Sequence, residues 1–172
     1  MERAAWHREA LADLGIREAP GPANDPRIMK LFRDGGFGWV KDETTPWCAI
    51  GLNGWLARAG VPGTSRPNAR SFLEWGIRLA APVPGCIVVI ARPPVPWQGH
   101  VGIYEGEDDT HVRLLGANQN DGVARGWFPK SRLIRADGRL VSYRWPKGIP
   151  VPAGAGPVRL ARKAGTPETR AA

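Results

Sequence analysis

Cysteine is scarce in this chain: Cys48 and Cys86 are the two among 172 residues. They stand 86 − 48 = 38 positions apart and do not make the dense framework that staples small secreted domains, so the fold has to rest on a packed core. Long apolar runs are also missing. None approaches the roughly 20 residues of a membrane-spanning helix, and no transmembrane segment is expected. There is no internal repeat, and no groove-reading motif accompanies the net charge of +8, so no nucleic-acid partner is expected. The opening MERAAWHREALADLG is charged and amphipathic, which reads as a helix and not as a secretory signal. At this length the chain can bury a real core but is too short for two sizeable domains.

The positive charge is uneven. From Lys147 to Ala172 five basic residues (Lys147, Arg159, Arg162, Lys163 and Arg170) face one acid, Glu168, in a stretch crowded with Pro, Gly and Ala. That composition reads as a disordered tail over 147–172, able to touch an anionic wall or lipid surface through its charge, behind a domain spanning 1–146. Inside the domain, patterning predicts helices near Arg3–Leu14, Pro26–Arg33, Pro46–Ala59 and Pro67–Trp75. Strands are predicted near Ile87–Ala91, His100–Glu105, His111–Ala117, Val123–Phe128 and Leu140–Trp145. Helices first and an antiparallel sheet second is the α+β arrangement.

Three short stretches carry chemistry. In TPWCAIGLNGWLARAG, Thr45 is placed to cap a helix entered at Pro46, with Gly60 and Pro62 as its stop. Cys48 then sits in the first turn, where unpaired N–H groups and the helix dipole favour a thiolate. In QGHVGIYEGEDDTHVRLLGANQ, two strands flank a polar turn, and His100 and Asn118 lie equally far from Asp109. Equidistant residues of an antiparallel pair face each other, so an Asn118 amide is expected to orient the imidazole while its other nitrogen faces Cys48. Asn120, two positions on along the same face, is the reserve. Thiol, imidazole and amide are the parts of a Cys-His-Asn nucleophilic site.

These residues resemble the NlpC-type and CHAP-type cysteine peptidases and amidases, which share a papain-like fold and cleave the peptide part of bacterial peptidoglycan. The likeness is to a phage- and prophage-associated subgroup, and it runs from about Trp6 to Trp145. It rests on TPWC at Thr45–Cys48, ARSFLEWG at Ala69–Gly76, PGCIVVI at Pro84–Ile90, GHVG at Gly99–Gly102 and GANQ at Gly116–Gln119. The resemblance implies Cys48 as nucleophile, His100 as general base, Asn118 as the orienting residue, no cofactor and no metal. It further implies peptidoglycan as substrate, reached from the cytoplasm by membrane permeabilisation or by carriage on a phage particle.

Trp47 and Trp97 flank the proposed catalytic residues and are expected to line the substrate groove; Asp42 and Glu43, just ahead of the nucleophile, are expected at its entrance or on a substrate amine. Cys86, at the start of a central strand, is expected to be buried and inert. Three other classes remain at this stage. A zinc hydrolase would recruit His100, Asp108 and His111, whose spacing matches no strong ligand motif. A non-catalytic wall-binding or tail-structural module would use the charge and the tryptophans. An acyltransferase would hand the same thioester to an amine or hydroxyl.

Overall fold

The structure, a computed structural model, describes residues 2–171. Three α-helices come first. Helix α1, Ala5–Ala12, buries Trp6, His7 and Ala10. Helix α2, Pro26–Asp34, opens with proline at its first position and with Asp25 accepting the Arg27 N–H at 2.8 Å, and it buries Ile28, Leu31 and Phe32 on one face. Helix α3, Cys48–Arg58, is central, with every residue from Cys48 to Leu56 buried. Two glycines make that burial sterically feasible. A Cβ on Gly54 would come within 2.6 Å of the Leu31 carbonyl oxygen on α2, and one on Gly51 within 2.5 Å of the Ala117 Cβ. Helix α3 is thereby pressed against the segment at Ala117.

Eight strands follow: β1 (Ile77–Arg78), β2 (Ile87–Ala91), β3 (Gly99–Glu107), β4 (His111–Gly116), β5 (Ala124–Pro129), β6 (Arg135–Ala136), β7 (Arg139–Leu140) and β8 (Tyr143–Trp145). Six form one antiparallel sheet in the order β1-β8-β2-β3-β4-β5, and β6 pairs with β7 apart from it. The fold is mixed α+β, as the patterning predicts. Strand β2 has the predicted bounds because its four leading residues are all buried β-branched ones. The segment expected as a helix over Pro67–Trp75 is a 3-10 turn, Ala69–Glu74. The run expected as one strand over Leu140–Trp145 divides into β7 and β8. Between them Ser142 is turned to the sheet, its Oγ accepting the Ile134 N–H at 2.7 Å and its carbonyl the Val89 N–H at 3.0 Å.

The expectation of a disordered tail is corrected. Its residues lie along the sheet and supply backbone bonds: Glu107 N–H to Val158 O at 2.8 Å, Leu160 N–H to Glu107 O at 2.8 Å, and Thr169 N–H to Trp127 O at 3.0 Å. A Cβ on Gly106 would stand 2.3 Å from the Leu160 side chain, and one on Gly126 2.5 Å from Thr169, so two strand glycines make the seats for this segment. Arg159 pairs with Asp109, and Arg162 with Asp108 at 3.1 Å, which engages part of the charge read as free. Composition understates order here because the segment packs by backbone bonding to an existing sheet, not by burying a periodic apolar face.

Ending the chain after Pro146 is therefore expected to destabilise it. Three or more lost backbone bonds at about 1 kcal/mol each correspond to a fall of roughly 10 °C in Tm for a domain of this size. Calorimetry of the truncated and full chains checks this, and equal melting temperatures would refute it.

Candidate functional site

Cys48 is the first residue of α3, preceded by Trp47 in the cap position with no capping side-chain bond. The predicted start at Thr45–Pro46 is corrected by two residues. Asp42 and the residues after it form a turn, Asp42 Oδ1 taking the Thr44 N–H at 2.7 Å and its carbonyl the Thr45 N–H at 3.4 Å, so this stretch is committed before the helix can begin. No side chain caps this helix start, and the backbone N–H groups of Val101 on the sheet, of Ala49 and of Cys48 itself favour ionisation of the thiol. Burial nevertheless dominates and pushes the thiol upward against those N–H groups and the charge of Arg92. The helix start does not hold a resting thiolate here.

His100 lies near the start of β3, paired with Ile90 of β2 and fully buried. Its Nε2 meets Gln119 Oε1 at 2.8 Å, while the Gln119 Nε2 donates to Leu114 O at 3.2 Å and to Ala124 O at 2.7 Å. Two carbonyls holding the amide nitrogen leave its oxygen to the ring, so His100 carries its proton on Nε2 and presents a lone pair at Nδ1. That Nδ1 is buried with no hydrogen-bond partner among the described residues. Phe128 lies against the ring, with centroids 5.2 Å apart. Burial holds the imidazole down at about 4 against the Gln119 bond, with Arg92 and Arg132 adding in the same direction. Val101, whose N–H favours ionisation of the Cys48 thiol, is the next residue along β3.

The amide on the ring is thus one residue from the expected one. Register Ile103↔Leu115 and Tyr104↔Leu114, continued, does put Asn118 opposite His100. Strand β4 stops at Gly116, however, and Asn118 takes a left-handed backbone (φ 56°), so alternation no longer decides where side chains point. Gln119 turns back beneath the hairpin instead. Gly116 makes room for it, since a Cβ there would stand 2.1 Å from Gln119 Oε1. The loop is braced by the Gln119 N–H on Gly122 O at 3.0 Å and the Val123 N–H on Ile16 O at 2.8 Å. Gln119 closes the GANQ stretch, and a glycine three residues ahead of a glutamine is the signal that could have singled it out. Asn118 is buried; Asn120 is exposed, its N–H bound to Arg170 O at 3.3 Å.

Three expected groove residues are placed differently. Trp47 is wholly buried, its ring against Phe32 and its Nε1 donating to Glu18 at 2.8 Å, and it is a core residue. Asp42 is exposed but spent on its own turn. Glu43 is buried and accepts the N–H groups of Ala19 at 2.6 Å and Asp25 at 2.8 Å, bracing two loops. Trp97, by contrast, is 76% exposed three residues before His100. Arg92, which sequence reading did not single out, acts electrostatically on both Cys48 and His100. Cys86 is fully buried just ahead of β2 with its thiol pushed up to about 12, and both cysteines are free. Among the described residues no group of three or more His, Cys, Asp or Glu is arranged to hold a metal ion. Asp108 and His111 are engaged in the hairpin turn, Asp108 Oδ1 accepting the His111 N–H at 2.7 Å.

The depressed His100 pKa fixes a stability window. Above about pH 6.5 the imidazole is neutral in folded and unfolded chains alike and contributes no pH dependence. Between 6.5 and about 4 the unfolded chain binds a proton that the folded site refuses, so stability falls as pH drops through that range. Glu105, held down at about 2, loses its stabilisation at lower pH. Denaturant midpoints at pH 7.5 and 4.5 should drop further for the parent than for His100→Gln, and equal drops would contradict the assignment.

Comparison with family models, curated proteins and solved structures finds no match to this chain.

Proposed function

We propose that this chain is a papain-like cysteine hydrolase that cleaves an amide or peptide bond of bacterial peptidoglycan, in the manner of a phage endolysin or virion-associated lysin. One observation carries the reading: a buried histidine has its Nε2 held by Gln119 and its Nδ1 unpartnered among the described residues, and the N–H of the next residue, Val101, favours ionisation of a thiol at a helix start.

At rest the raised thiol and the lowered imidazole are both neutral, and no hydrogen bond joins Cys48 Sγ to His100 Nδ1 among the described residues, so proton transfer accompanies attack on substrate. His100 Nδ1 takes the Sγ proton, and Gln119 Oε1 accepts from the Nε2–H of the imidazolium formed. Sulfur bonds to the carbonyl carbon, and backbone N–H groups at the start of α3, including that of Cys48, receive the oxyanion. The imidazolium then protonates the leaving amine as the C–N bond breaks. Water, deprotonated by the same ring, releases the acid from the thioester and restores the thiol. Exposed Trp97 is the candidate wall for the substrate, and the remaining basic side chains of the C-terminal segment are candidates for contact with an anionic wall.

Incubating purified peptidoglycan with the protein and weighing the released fragments tests the reading and identifies the bond. Iodoacetamide should stop release and EDTA should not, because alkylation removes a thiolate nucleophile and a chelator removes only metal-activated water. Unchanged peptidoglycan, or the reverse inhibitor pattern, would overturn it.

A further inference from the structure

A cavity of about 600 Å³ lies away from Cys48, His100 and Gln119, none of which lines it. It reaches Glu105, five residues beyond His100 on β3 and so about 17 Å along the strand. One side is apolar: Trp6 and Trp145, set edge to face at 5.2 Å, with Val61, Pro84 and Ile149. The other is polar and built around Glu105, which takes His7 Nε2 at 3.2 Å, Arg125 Nε at 2.6 Å and Arg113 Nη2 at 3.4 Å. One carboxylate thus answers two guanidinium groups. Arg3 adds a third positive charge to the lining, and the other acid there, Glu2, is exposed and paired with Arg8.

Two buried atoms on this polar side have no partner among the described residues: His7 Nδ1, on a side chain 4% exposed, and Arg113 Nε. In the tautomer that donates from Nε2 to Glu105, the His7 ring offers Nδ1 as an acceptor, while Arg113 Nε is a donor. The first turn of α1, from Ala5 on, also lines the cavity, and it has neither a capping side chain nor an acid to answer its N–H groups. Buried polar atoms left unmatched are costly, and a ligand that matches them is favoured.

We propose that this cavity binds an N-acylated amino acid, the form in which a peptide presents its C-terminus. The carboxylate goes to the α1 N-terminus with Arg3 and Arg113 Nε, the amide N–H donates to His7 Nδ1, and an apolar side chain lies against Trp6 and Trp145. The volume suits a ligand of this size. The site is independent of the cysteine chemistry, so binding is expected whether or not the chain is a hydrolase.

The test is an NMR titration of the full chain, following the indole N–H signals of Trp6 and Trp145, with N-acetyl-leucine and with N-acetyl-leucinamide. The acid should give saturable shifts and the amide should bind about 10-fold more weakly, the value of one charge-assisted contact. Ala5→Leu, which fills the cavity, should abolish the shifts. Arg3→Ala, at an exposed position that leaves folding intact, should weaken the acid severalfold and leave the amide unchanged. No shift at the solubility limit, equal affinity for acid and amide, or unaltered binding in Arg3→Ala would each overturn the proposal.

Discussion

On the proposed function, Cys48→Ala is expected to lower peptidoglycan hydrolysis by a factor on the order of 10⁴ or more, because the thioester forms on the Cys48 sulfur. The fold should survive. The substitution removes one buried sulfur from the start of α3, a loss of about 1–2 kcal/mol that melting curves would register as a few degrees. Fragment release and Tm measured on one preparation separate the two effects. Cys86→Ala is the control: its thiol is fully buried and pushed up to about 12, so it should cost stability through a small cavity and leave turnover largely intact. Full activity in Cys48→Ala would end the cysteine mechanism.

The second large effect is expected at Gln119. Its oxygen fixes the His100 tautomer and, on the proposed function, receives the Nε2–H of the imidazolium, so Gln119→Ala should reduce kcat by roughly 100-fold, less than loss of His100 itself. It should also destabilise, since Leu114 O and Ala124 O lose a buried donor, at about 1–3 kcal/mol for each group left unsatisfied. A purely structural role would produce the second effect without the first. The distinguishing readout is the ring ¹⁵N spectrum of His100, which should show the proton on Nε2 in the parent and a mixture of tautomers in Gln119→Ala. Asn118→Ala, which places alanine in a left-handed backbone, should cost about 1 kcal/mol of stability and much less activity. A greater loss of turnover at Asn118 than at Gln119 would overturn the assignment.

Two features of the site bear on how it works. His100 is wholly buried and Cys48 nearly so, and burial moves both away from the ion pair that a helix-start cysteine suggests. On the proposed function, nucleophile activation then waits for substrate, and alkylation by small reagents should be slow compared with that of an exposed thiolate. Arg92 opposes a charged imidazole and favours a thiolate, so its charge bears on both partners in the same direction, toward deprotonation.

Much of the architecture was legible because it depends on local periodicity and punctuation. Buried β-branched residues define β2, Asp25 and Pro26 open α2, and the hairpin of β3 and β4 follows from its polar turn; the candidate thiol and imidazole are proposed from the same signals. What periodicity could not supply was anything set by contacts between distant segments. Trp47 reads as a groove residue from its neighbour Cys48, yet Phe32 and Glu18 enclose it. The C-terminal segment reads as a tail from its composition, yet the edges of Gly106 and Gly126 seat it. Asn118 reads as the orienting residue because alternation assumes that a strand continues. Only the tertiary structure decided that β4 ends at Gly116, where the absence of a Cβ lets the Gln119 amide fold back onto His100, because the space beneath a strand is set by what packs there and not by the order of residues along it.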